Sequence, residues 1–87
     1  MRTIERTKAF KRDFKKRGEL DTALIEALWK LVNDEALPEH YRDHALTGNW
    51  IDFRDCHIKP DLVLIYRKPD ADTLQLVRLG SHSELNL

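Results

Sequence analysis

Residues 54–68, RDCHIKPDLVLIYRK, form a hairpin pattern that decides how the rest of the chain must fold. The second half, DLVLIYRK, is a short run rich in apolar and β-branched residues, which is typical of a strand buried on both faces. The preceding WIDFRDCHI, residues 50–58, alternates like a half-buried strand, and Pro60 and Asp61 mark the turn between the two. The pattern therefore predicts a central buried strand with charged residues at its mouth.

Two further segments extend this hairpin. TLQLVRL, residues 73–79, alternates again and follows a turn that PDAD predicts at residues 69–72. Three consecutive strands with short connections predict an antiparallel meander. RTIER, residues 2–6, is compatible with a short edge strand.

Two amphipathic helices are predicted between the first strand and the meander. Thr7 can cap KAFKRDFKKR, in which Phe10 and Phe14 share a face, and Gly18 is placed to end that helix. The second helix begins near Asp21, whose carboxylate suits an N-cap. The apolar side of this second helix comprises Leu24, Ala27, Leu28 and Leu31, widened by Ile25, Trp29 and Val32.

The segment PEHYRDHALTGN, residues 38–49, is polar, contains Pro and Gly, and predicts a loop. The order of elements predicts an α+β fold, β-α-α-β-β-β, with two N-terminal helices packed on an antiparallel sheet. A chain of 87 residues has room for one core, so a single domain is predicted over residues 1–87.

The composition narrows the class of protein. Cys56 is the only cysteine, which excludes an intramolecular disulfide and favours a reducing, cytoplasmic location. No apolar run approaches the roughly 18 residues of a membrane span. The first ten residues lack the apolar segment of a secretion signal. We therefore expect a cytoplasmic protein with no membrane partner.

Charge is unevenly distributed although the whole chain sums to zero. Residues 1–18 carry eight Lys or Arg against Glu5 and Asp13, a net charge of +6, so the rest of the chain carries −6. Such a segment is either a solvated helix surface or a basic face that meets phosphates or an acidic protein. The basic residues are Arg2, Arg6, Lys8, Lys11, Arg12, Lys15, Lys16 and Arg17.

Four histidines, His40, His44, His57 and His82, fall in the loop or at strand ends rather than in an apolar stripe. One hypothesis is metal binding, because His40 and His44 have the i, i+4 spacing of a zinc pair, although no HExxH glutamate accompanies them. A second is that each histidine is a structural residue. In a meander, the end of one strand meets the start of the next, so His57 and Asp61 are predicted to be neighbours.

The third hypothesis is general acid-base chemistry. Imidazole titrates near neutral pH, so a histidine with a carboxylate can remove and return protons, each role contributing about 10²- to 10⁴-fold in rate. Arg54 would add a permanent cation for a phosphoryl group. These are the parts of a metal-free ribonuclease, in which a base takes the proton of a ribose 2′-OH and an acid protonates the departing 5′ oxygen. The basic first helix would then dock nucleic acid.

Three motifs together point to a family. RDHALTGNW (residues 42–50), FRDCHIKPDLVLIY (53–66) and RLGSH (78–82) resemble the pattern DHxLxGxW, RDxHxxPDxxLIY, RxGxH of the YafQ-like branch of the RelE/ParE superfamily of toxin-antitoxin toxins. The resemblance spans essentially the whole chain and implies a RelE-like fold.

The resemblance also implies a function and partners. Members of this branch are mRNA interferases, which enter the ribosomal A site, contact 16S rRNA and cut the message there without a cofactor. They leave a cyclic phosphate and a 5′-OH. The implied partners are the ribosome, mRNA and a cognate antitoxin that wraps the toxin, with operator DNA contacted only through that antitoxin. The alternative is a non-catalytic ParE-like toxin or interaction module that binds a protein target.

The motifs match the family's catalytic positions at four residues. His82 is interpreted as the general acid, Asp61 assisted by His57 as the base or the residue that orients it, and His44 as a contact to the scissile phosphate. No metal is assigned. Binding of RNA or phosphate is assigned to Arg54, Lys8, Lys11, Arg12 and Lys15.

The chain departs from the family pattern at two positions. Leu62 and Asn86 stand where the family often has aromatic residues, whose stacking on a base contributes roughly 1 to 3 kcal/mol. Other side chains have structural interpretations. Trp29, Trp50 and Phe53 are predicted to pack in or beside the core. Tyr66 and Cys56 are predicted to be strand residues.

Overall fold

The computed structural model describes residues 1–17 and 19–87 and contains one five-stranded sheet. Two helices lie on one of its faces, and two short 3₁₀ turns, Glu39–Tyr41 and Gly48–Trp50, flank the second strand. No helix among these residues has the length and apolar character to cross a membrane. The main elements are β1 (Thr3–Arg6), α1 (Lys8–Arg17), α2 (Thr22–Val32), β2 (His44–Ala45), β3 (Arg54–Lys59), β4 (Leu62–Arg67) and β5 (Thr73–Gly80).

The predicted α+β class and antiparallel meander are confirmed, but the sheet is mixed. The strand order is β1-β5-β4-β3-β2, and β3, β4 and β5 pair antiparallel in sequence. β1 pairs with β5 in parallel, so the prediction of a wholly antiparallel sheet was wrong at this edge. A four-residue alternating pattern is the same for either direction, so RTIER carried no information about orientation.

The segment at 38–49 is more structured than the loop that its composition predicted. His44 and Ala45 form β2, which pairs antiparallel with Asp55 and Arg54 of β3. β3 itself begins at Arg54 rather than at residue 50. Two residues are too few for a periodic pattern, so β2 had no signature in the sequence.

Side chains cap both helices as predicted. Thr7 Oγ1 accepts the amide of Phe10 at 3.0 Å and donates to the Val77 carbonyl at 2.8 Å. Asp21 Oδ1 accepts the amide of Leu24 at 2.9 Å. Gly18, the predicted end of α1, lies outside the described residues. The caps satisfy amides that a helix start leaves without partners.

The core has two sides, divided by β4, and Val63, Leu64, Ile65 and Tyr66 are all at most 1% exposed. The helix-side core joins α1, α2 and the sheet. Its members include Phe10, Leu24, Ala27, Leu31, Cys56, Leu64, Tyr66, Leu74, Leu76 and Leu79. The opposite-side core is smaller and consists of Val63, Ile65 and Leu85, with Leu46, Trp50, Phe53 and Val77 packed against it.

The aromatic predictions had mixed outcomes. Tyr66 is a buried strand residue, and Trp50 and Phe53 pack edge to face at 5.4 Å against the opposite-side core. Trp29 was predicted to pack but is 58% exposed, and Ile25, one turn earlier, is 51% exposed. The buried stripe of α2 is narrower than the apolar pattern, which leaves an apolar surface outside the core.

One ion pair attaches the basic helix to the sheet. Asp13 of α1 accepts Arg78 Nε at 2.6 Å, Arg78 Nη2 at 3.3 Å and the amide of Leu79 at 3.1 Å. Burial would raise the pKa of Asp13, but these hydrogen bonds outweigh it and hold the pKa below the usual 3.8. Asp13 therefore docks a helix dominated by positive charge onto β5.

We predict that Asp13→Asn lowers the free energy of unfolding by about 2 to 3 kcal/mol at pH 7, because Arg78 loses a charged partner in a partly buried site. The folded pKa is lowered, so the contribution is present above pH 3.8 and disappears as the pH falls through the folded pKa. Urea unfolding at pH 7 and near pH 3 measures both. The control is Asp72→Asn at an exposed turn. Equal stabilities of Asp13→Asn and wild type at pH 7 would contradict this role.

Candidate active site

Three histidines from distant parts of the chain meet at one rim of the sheet. His44 lies on β2, His57 on β3, and His82 directly follows β5. The ring centroids of His44 and His57 are 6.5 Å apart, and those of His57 and His82 are 4.9 Å apart in an edge-to-face arrangement. The structure thus brings together the three histidines that the motifs singled out.

The pairing register of the strands places the His44, Asp55 and His57 side chains on the same face of the sheet. His57 pairs with Val63, and His44 pairs with Asp55, which in turn pairs with Ile65. Residues directly opposite each other in an antiparallel pair project to the same face of the sheet. The histidine cluster therefore lies on the face that carries Val63 and Ile65, which is the face of the opposite-side core. The ladder is irregular between His57 and Lys59, a bulge of the kind that redirects side chains near functional sites.

Asp61 contacts His82 rather than His57. Its Oδ1 accepts the Nδ1 proton of His82 at 3.1 Å and the His82 amide at 3.3 Å. No hydrogen bond joins Asp61 to His57 among the described residues, so the hydrogen-bond partner of Asp61 is His82, the ring that packs against His57. The hydrogen bond from His82 lowers the pKa of Asp61, which keeps this exposed carboxylate ionised. It also leaves Nε2 of His82 outside this contact.

His57 lies in the middle of the cluster and is half-buried. Burial lowers the pKa of His57, the nearby carboxylate of Asp55 opposes this, and the charges of His82, Arg42 and His44 lower the pKa further. The net result is that the pKa of His57 lies below its usual 6.5. At pH 7 this shift favours the neutral imidazole of His57.

Asp55 is a member of the site that the sequence analysis missed. It is 2% exposed, and its Oδ1 lies 3.1 Å from Nδ1 of His44. That distance is close enough for an ion pair, yet Oδ1 has no aligned hydrogen bond, because Nδ1 of His44 meets the Arg42 carbonyl at 2.7 Å. Burial raises the pKa of Asp55, and His44, His57 and His82 oppose that rise. Strand alternation between residues 55 and 57 could have identified it.

Two clefts meet at the His57–His82 pair. The first is lined by His44, Asp55, His57 and His82 together with Thr47, Asn49, Trp50, Asn86 and Leu87. The second lies on the other side of the pair and is lined by His40, Arg42, His57, Lys59, Pro60 and His82. An extended substrate lying across both clefts would pass directly over His57 and His82.

The predicted RNA-binding residues are distributed away from this rim. Arg54 projects from the opposite face of β3, where its Nε lies 3.2 Å from Asp43 Oδ1, and it lines neither cleft. The four predicted cations of α1 are exposed and have no carboxylate within 4.0 Å among residues 1–17 and 19–87. They are Lys8, Lys11, Arg12 and Lys15.

The structure separates the two histidines of the proposed zinc pair. His40 stacks on Tyr41, with ring centroids 4.5 Å apart, while His44 belongs to the cluster. Across the described residues, no three His, Cys, Asp or Glu side chains are arranged to hold a metal ion.

Comparison with known proteins assigns the family. The sequence model of "Bacterial toxin of type II toxin-antitoxin system, YafQ" matches residues 2–87. A YafQ toxin of Haemophilus influenzae is 48% identical over 66 residues, which cover 72% of this chain and 65% of that protein, slightly less than two thirds of its length. The mRNA interferase toxin YafQ of Escherichia coli K12 is 36% identical over 88 residues, covering 97% of this chain and 95% of that one.

Solved structures agree in fold. A copper-bound variant of a toxin from Helicobacter pylori superimposes with a TM-score of 0.91 at 46% identity, covering 98% of this chain and 99% of that one. The toxin in the E. coli DinJ-YafQ complex superimposes with a TM-score of 0.80 at 34% identity, covering 98% of each chain. The resemblance carried by the three motifs is confirmed, and the chain belongs to the YafQ family of toxins from bacterial type II toxin-antitoxin systems.

Proposed function

We propose that this chain is an mRNA interferase, an endoribonuclease that cuts mRNA in the ribosomal A site. The observation that carries the proposal is the rim itself, where three histidines and two carboxylates face one pair of clefts. The E. coli relative is named as an mRNA interferase. The two carboxylates are in opposite environments, one buried beside His44 and one exposed beside His82. Two carboxylate–histidine pairs in different environments suit a reaction in which one group acts as the base, on the basic side of the site, and another as the acid, on the acidic side.

The basic side is assigned to His44 and His57. Both line the first cleft, and His57 is held neutral by burial. A neutral imidazole can remove the proton of a ribose 2′-OH at pH 7. Asp61 is not the base in this proposal, since its lowered pKa makes it a weak proton acceptor.

The acidic side is assigned to His82, with Asp61 as its orienting partner. The Asp61 carboxylate holds the Nδ1 proton of His82, so a protonated ring can donate from Nε2. Side chains then account for both proton transfers of the reaction. The base takes the 2′-OH proton, the 2′ oxygen attacks phosphorus, and the 5′ oxygen leaves with a proton from His82. The products carry a 2′,3′-cyclic phosphate and a 5′-OH.

Substrate contacts follow from the two clefts. Arg42 and Lys59 line the second cleft together with the histidine pair, so they are assigned to message phosphates, and Lys59 also lies 3.0 Å from Asp21 Oδ2. Trp50 lines the first cleft and offers a ring on which a base can stack. Leu62 packs against the helix-side core instead, so an aromatic residue is not missing from the cleft at that position.

The exposed cations of α1 are assigned to ribosomal RNA. Lys8, Lys11, Arg12 and Lys15 lie away from the clefts. Arginine and lysine on an open helix face bind RNA backbones without reading sequence. Arg54 is omitted from the phosphate contacts because it pairs with Asp43 on the opposite face of β3.

The reaction as proposed needs no metal, because a side chain carries each proton. A copper ion is named in the H. pylori toxin structure, so this part of the proposal has its own control. The alternative, a non-catalytic toxin of the ParE kind, would act by binding a protein and would not need paired acid and base groups. The ribosome assay described next separates the two functions.

We expect His82→Ala to reduce cleavage of ribosome-bound message by about 10²- to 10⁴-fold, because the leaving oxygen loses its proton donor. The assay uses purified programmed ribosomes and maps cuts and cyclic phosphate ends within the A-site codon. Toxin treated with EDTA and then dialysed before mixing should cut as fast as untreated toxin. Glu35→Gln, at an exposed position beyond α2, is the control variant. No cleavage by folded wild-type protein on several codons would favour the non-catalytic alternative, and loss of activity after chelation would refute metal independence.

We also expect His57 to lose its proton below pH 6.5, because burial disfavours its charged form. Titration of the histidine ring protons by NMR on the free toxin gives each midpoint. Assignment by His57→Ala identifies the resonance. A His57 midpoint above 6.5 would contradict the effect of burial, and a midpoint above neutral pH would mean that the ring is mostly charged there and would remove it from the basic side.

We further propose that a cognate antitoxin covers the apolar surface beside α1. This surface consists of Met1, Ile4, Ile25, Leu28 and Trp29, and a groove lined by Phe10, Phe14 and Leu20 continues it. Contiguous exposed apolar area of this kind marks protein interfaces. The basic face of α1 borders it and suits an acidic partner. The E. coli relative has been crystallised with DinJ, which supports a partner of this class.

Trp29→Ala is therefore expected to weaken antitoxin binding at least tenfold while leaving ribosome-dependent cleavage unchanged. Calorimetry with the cognate antitoxin measures affinity, and tryptophan fluorescence of Trp50→Phe, in which Trp29 is the only tryptophan of this chain, reports the burial of Trp29 in the complex. Glu35→Ala serves as a matched surface control. Unchanged affinity together with unchanged fluorescence would place the antitoxin elsewhere.

A further inference from the structure

We propose that Asp55 is a positioning residue that selects His44 as the proton acceptor of the reaction. The Arg42 carbonyl accepts the Nδ1 proton of His44, and the buried Asp55 carboxylate, 3.1 Å from the same nitrogen, adds a negative charge that favours this tautomer, leaves the lone pair on Nε2 and balances the charge of the imidazolium that forms. The inference rests on the nuclease function proposed above and assigns a role within that same site.

The backbone brings the two residues together. β2 contains only His44 and Ala45, and its pairing with β3 sets His44 directly opposite Asp55. The ladder continues where the Leu46 amide donates to the Phe53 carbonyl at 2.9 Å. Without this short pairing, His44 would lie on an unattached loop, so the strand serves to place one imidazole over one carboxylate.

The burial of the pair is asymmetric. The side chain of Asp55 is 3% exposed, whereas that of His44 is 53% exposed and faces the first cleft. Asp55 Oδ1 has no hydrogen bond among the described residues. An unsatisfied buried carboxylate oxygen destabilises a fold, so its retention in so small a core calls for a functional reason.

The surroundings of His44 define its tautomer. Nδ1 faces two oxygen acceptors, the Arg42 carbonyl at 2.7 Å and the Asp55 carboxylate at 3.1 Å. Only a protonated Nδ1 is compatible with both, which leaves Nε2 as the basic nitrogen. Arg42 adopts a left-handed conformation with φ of 51°, and this turn carries its carbonyl to the ring.

The titratable and charged groups that act on Asp55, or on His57 beside it, come from two strands, the segment after β5 and the segment before β2. They are His44 on β2, His57 on β3, His82 after β5, and Arg42 and Asp43 before β2. A carboxylate favours the charged form of a neighbouring imidazole, so Asp55 stabilises the imidazolium that His44 becomes. When His44 takes the ribose proton from the 2′-OH, the new positive charge lies against this carboxylate, while His82 gives its own proton to the departing 5′ oxygen.

Nitrogen NMR on ¹⁵N-labelled toxin tests the structural half of the proposal without ribosomes. In wild type at a pH above its titration, His44 is expected to be the Nδ1–H tautomer. In Asp55→Asn we expect a larger share of the Nε2–H tautomer than in wild type, because the Arg42 carbonyl then favours the Nδ1 proton without the negative charge of the carboxylate, with Asp52→Asn, at an exposed turn, unchanged from wild type. An Nε2–H tautomer in wild type overturns the proposal whether or not the protein cuts RNA.

Kinetics tests the functional half. Asp55→Asn is expected to slow cleavage about 10- to 100-fold, because the imidazolium that forms on His44 loses the carboxylate that balances its charge. In a His44→Ala background the same substitution should cause no further loss. A full additional loss would mean that Asp55 acts through His57 or through the fold, which overturns the assignment.

A second measurement covers the case in which Asp55→Asn does not fold. Titration of the Asp55 carboxyl carbon in wild type is expected to show an inflection at the pH where His44 titrates, since the two groups share one environment. A carboxyl signal that is insensitive to His44 contradicts the proposal. If wild type shows the predicted tautomer but no cleavage, the nuclease function fails while the Asp55–His44 pairing stands.

Discussion

Burial of β4 on both faces is the constraint on which the rest of the structure depends. Leu64 and Tyr66 pack beneath the helices, while Val63 and Ile65 support the opposite face, where the histidines lie. β4 also pairs with β3 on one side and β5 on the other, and these are the strands that present or precede two of the histidines. A single apolar strand therefore holds the chemical groups in place, and no charged residue of the site needs to stabilise the fold.

The electrostatic environment of each carboxylate in the site depends on how deeply that carboxylate is buried. Asp61 and Asp55 are both carboxylates near a histidine Nδ1, yet one lies in solvent beyond the sheet and the other lies within it. The hydrogen bond from His82 keeps the exposed Asp61 ionised, whereas burial within the strand raises the pKa of Asp55. The same two residue types can therefore supply an acid on one side of His57 and a base on the other.

Patterns of several residues could be read from the sequence, and shorter ones could not. The caps at Thr7 and Asp21 and the two-faced burial of β4 each follow from local chemistry, and the three motifs identified the family. The direction of β1, the two-residue β2 and the exposure of Trp29 depend on what packs against them, which periodicity does not encode. Asp55 was overlooked because burial turned a common surface residue into part of the site. Asp61 was identified, but its hydrogen-bond partner His82 depends on the packing of the segment after β5, which local sequence does not show.

β5 has a consequence for the order in which a growing chain acquires its structure. β1 and α1 cannot complete their contacts before this strand is synthesised, since β1 pairs with it over a separation of 70 residues and Asp13 binds Arg78 within it. His82 follows the same strand by two residues. A nascent chain that has emerged only as far as β4 has neither a covered sheet edge nor the histidine assigned as acid. Completion of the fold and completion of the site are thus one event, and partly synthesised chains contain no assembled rim.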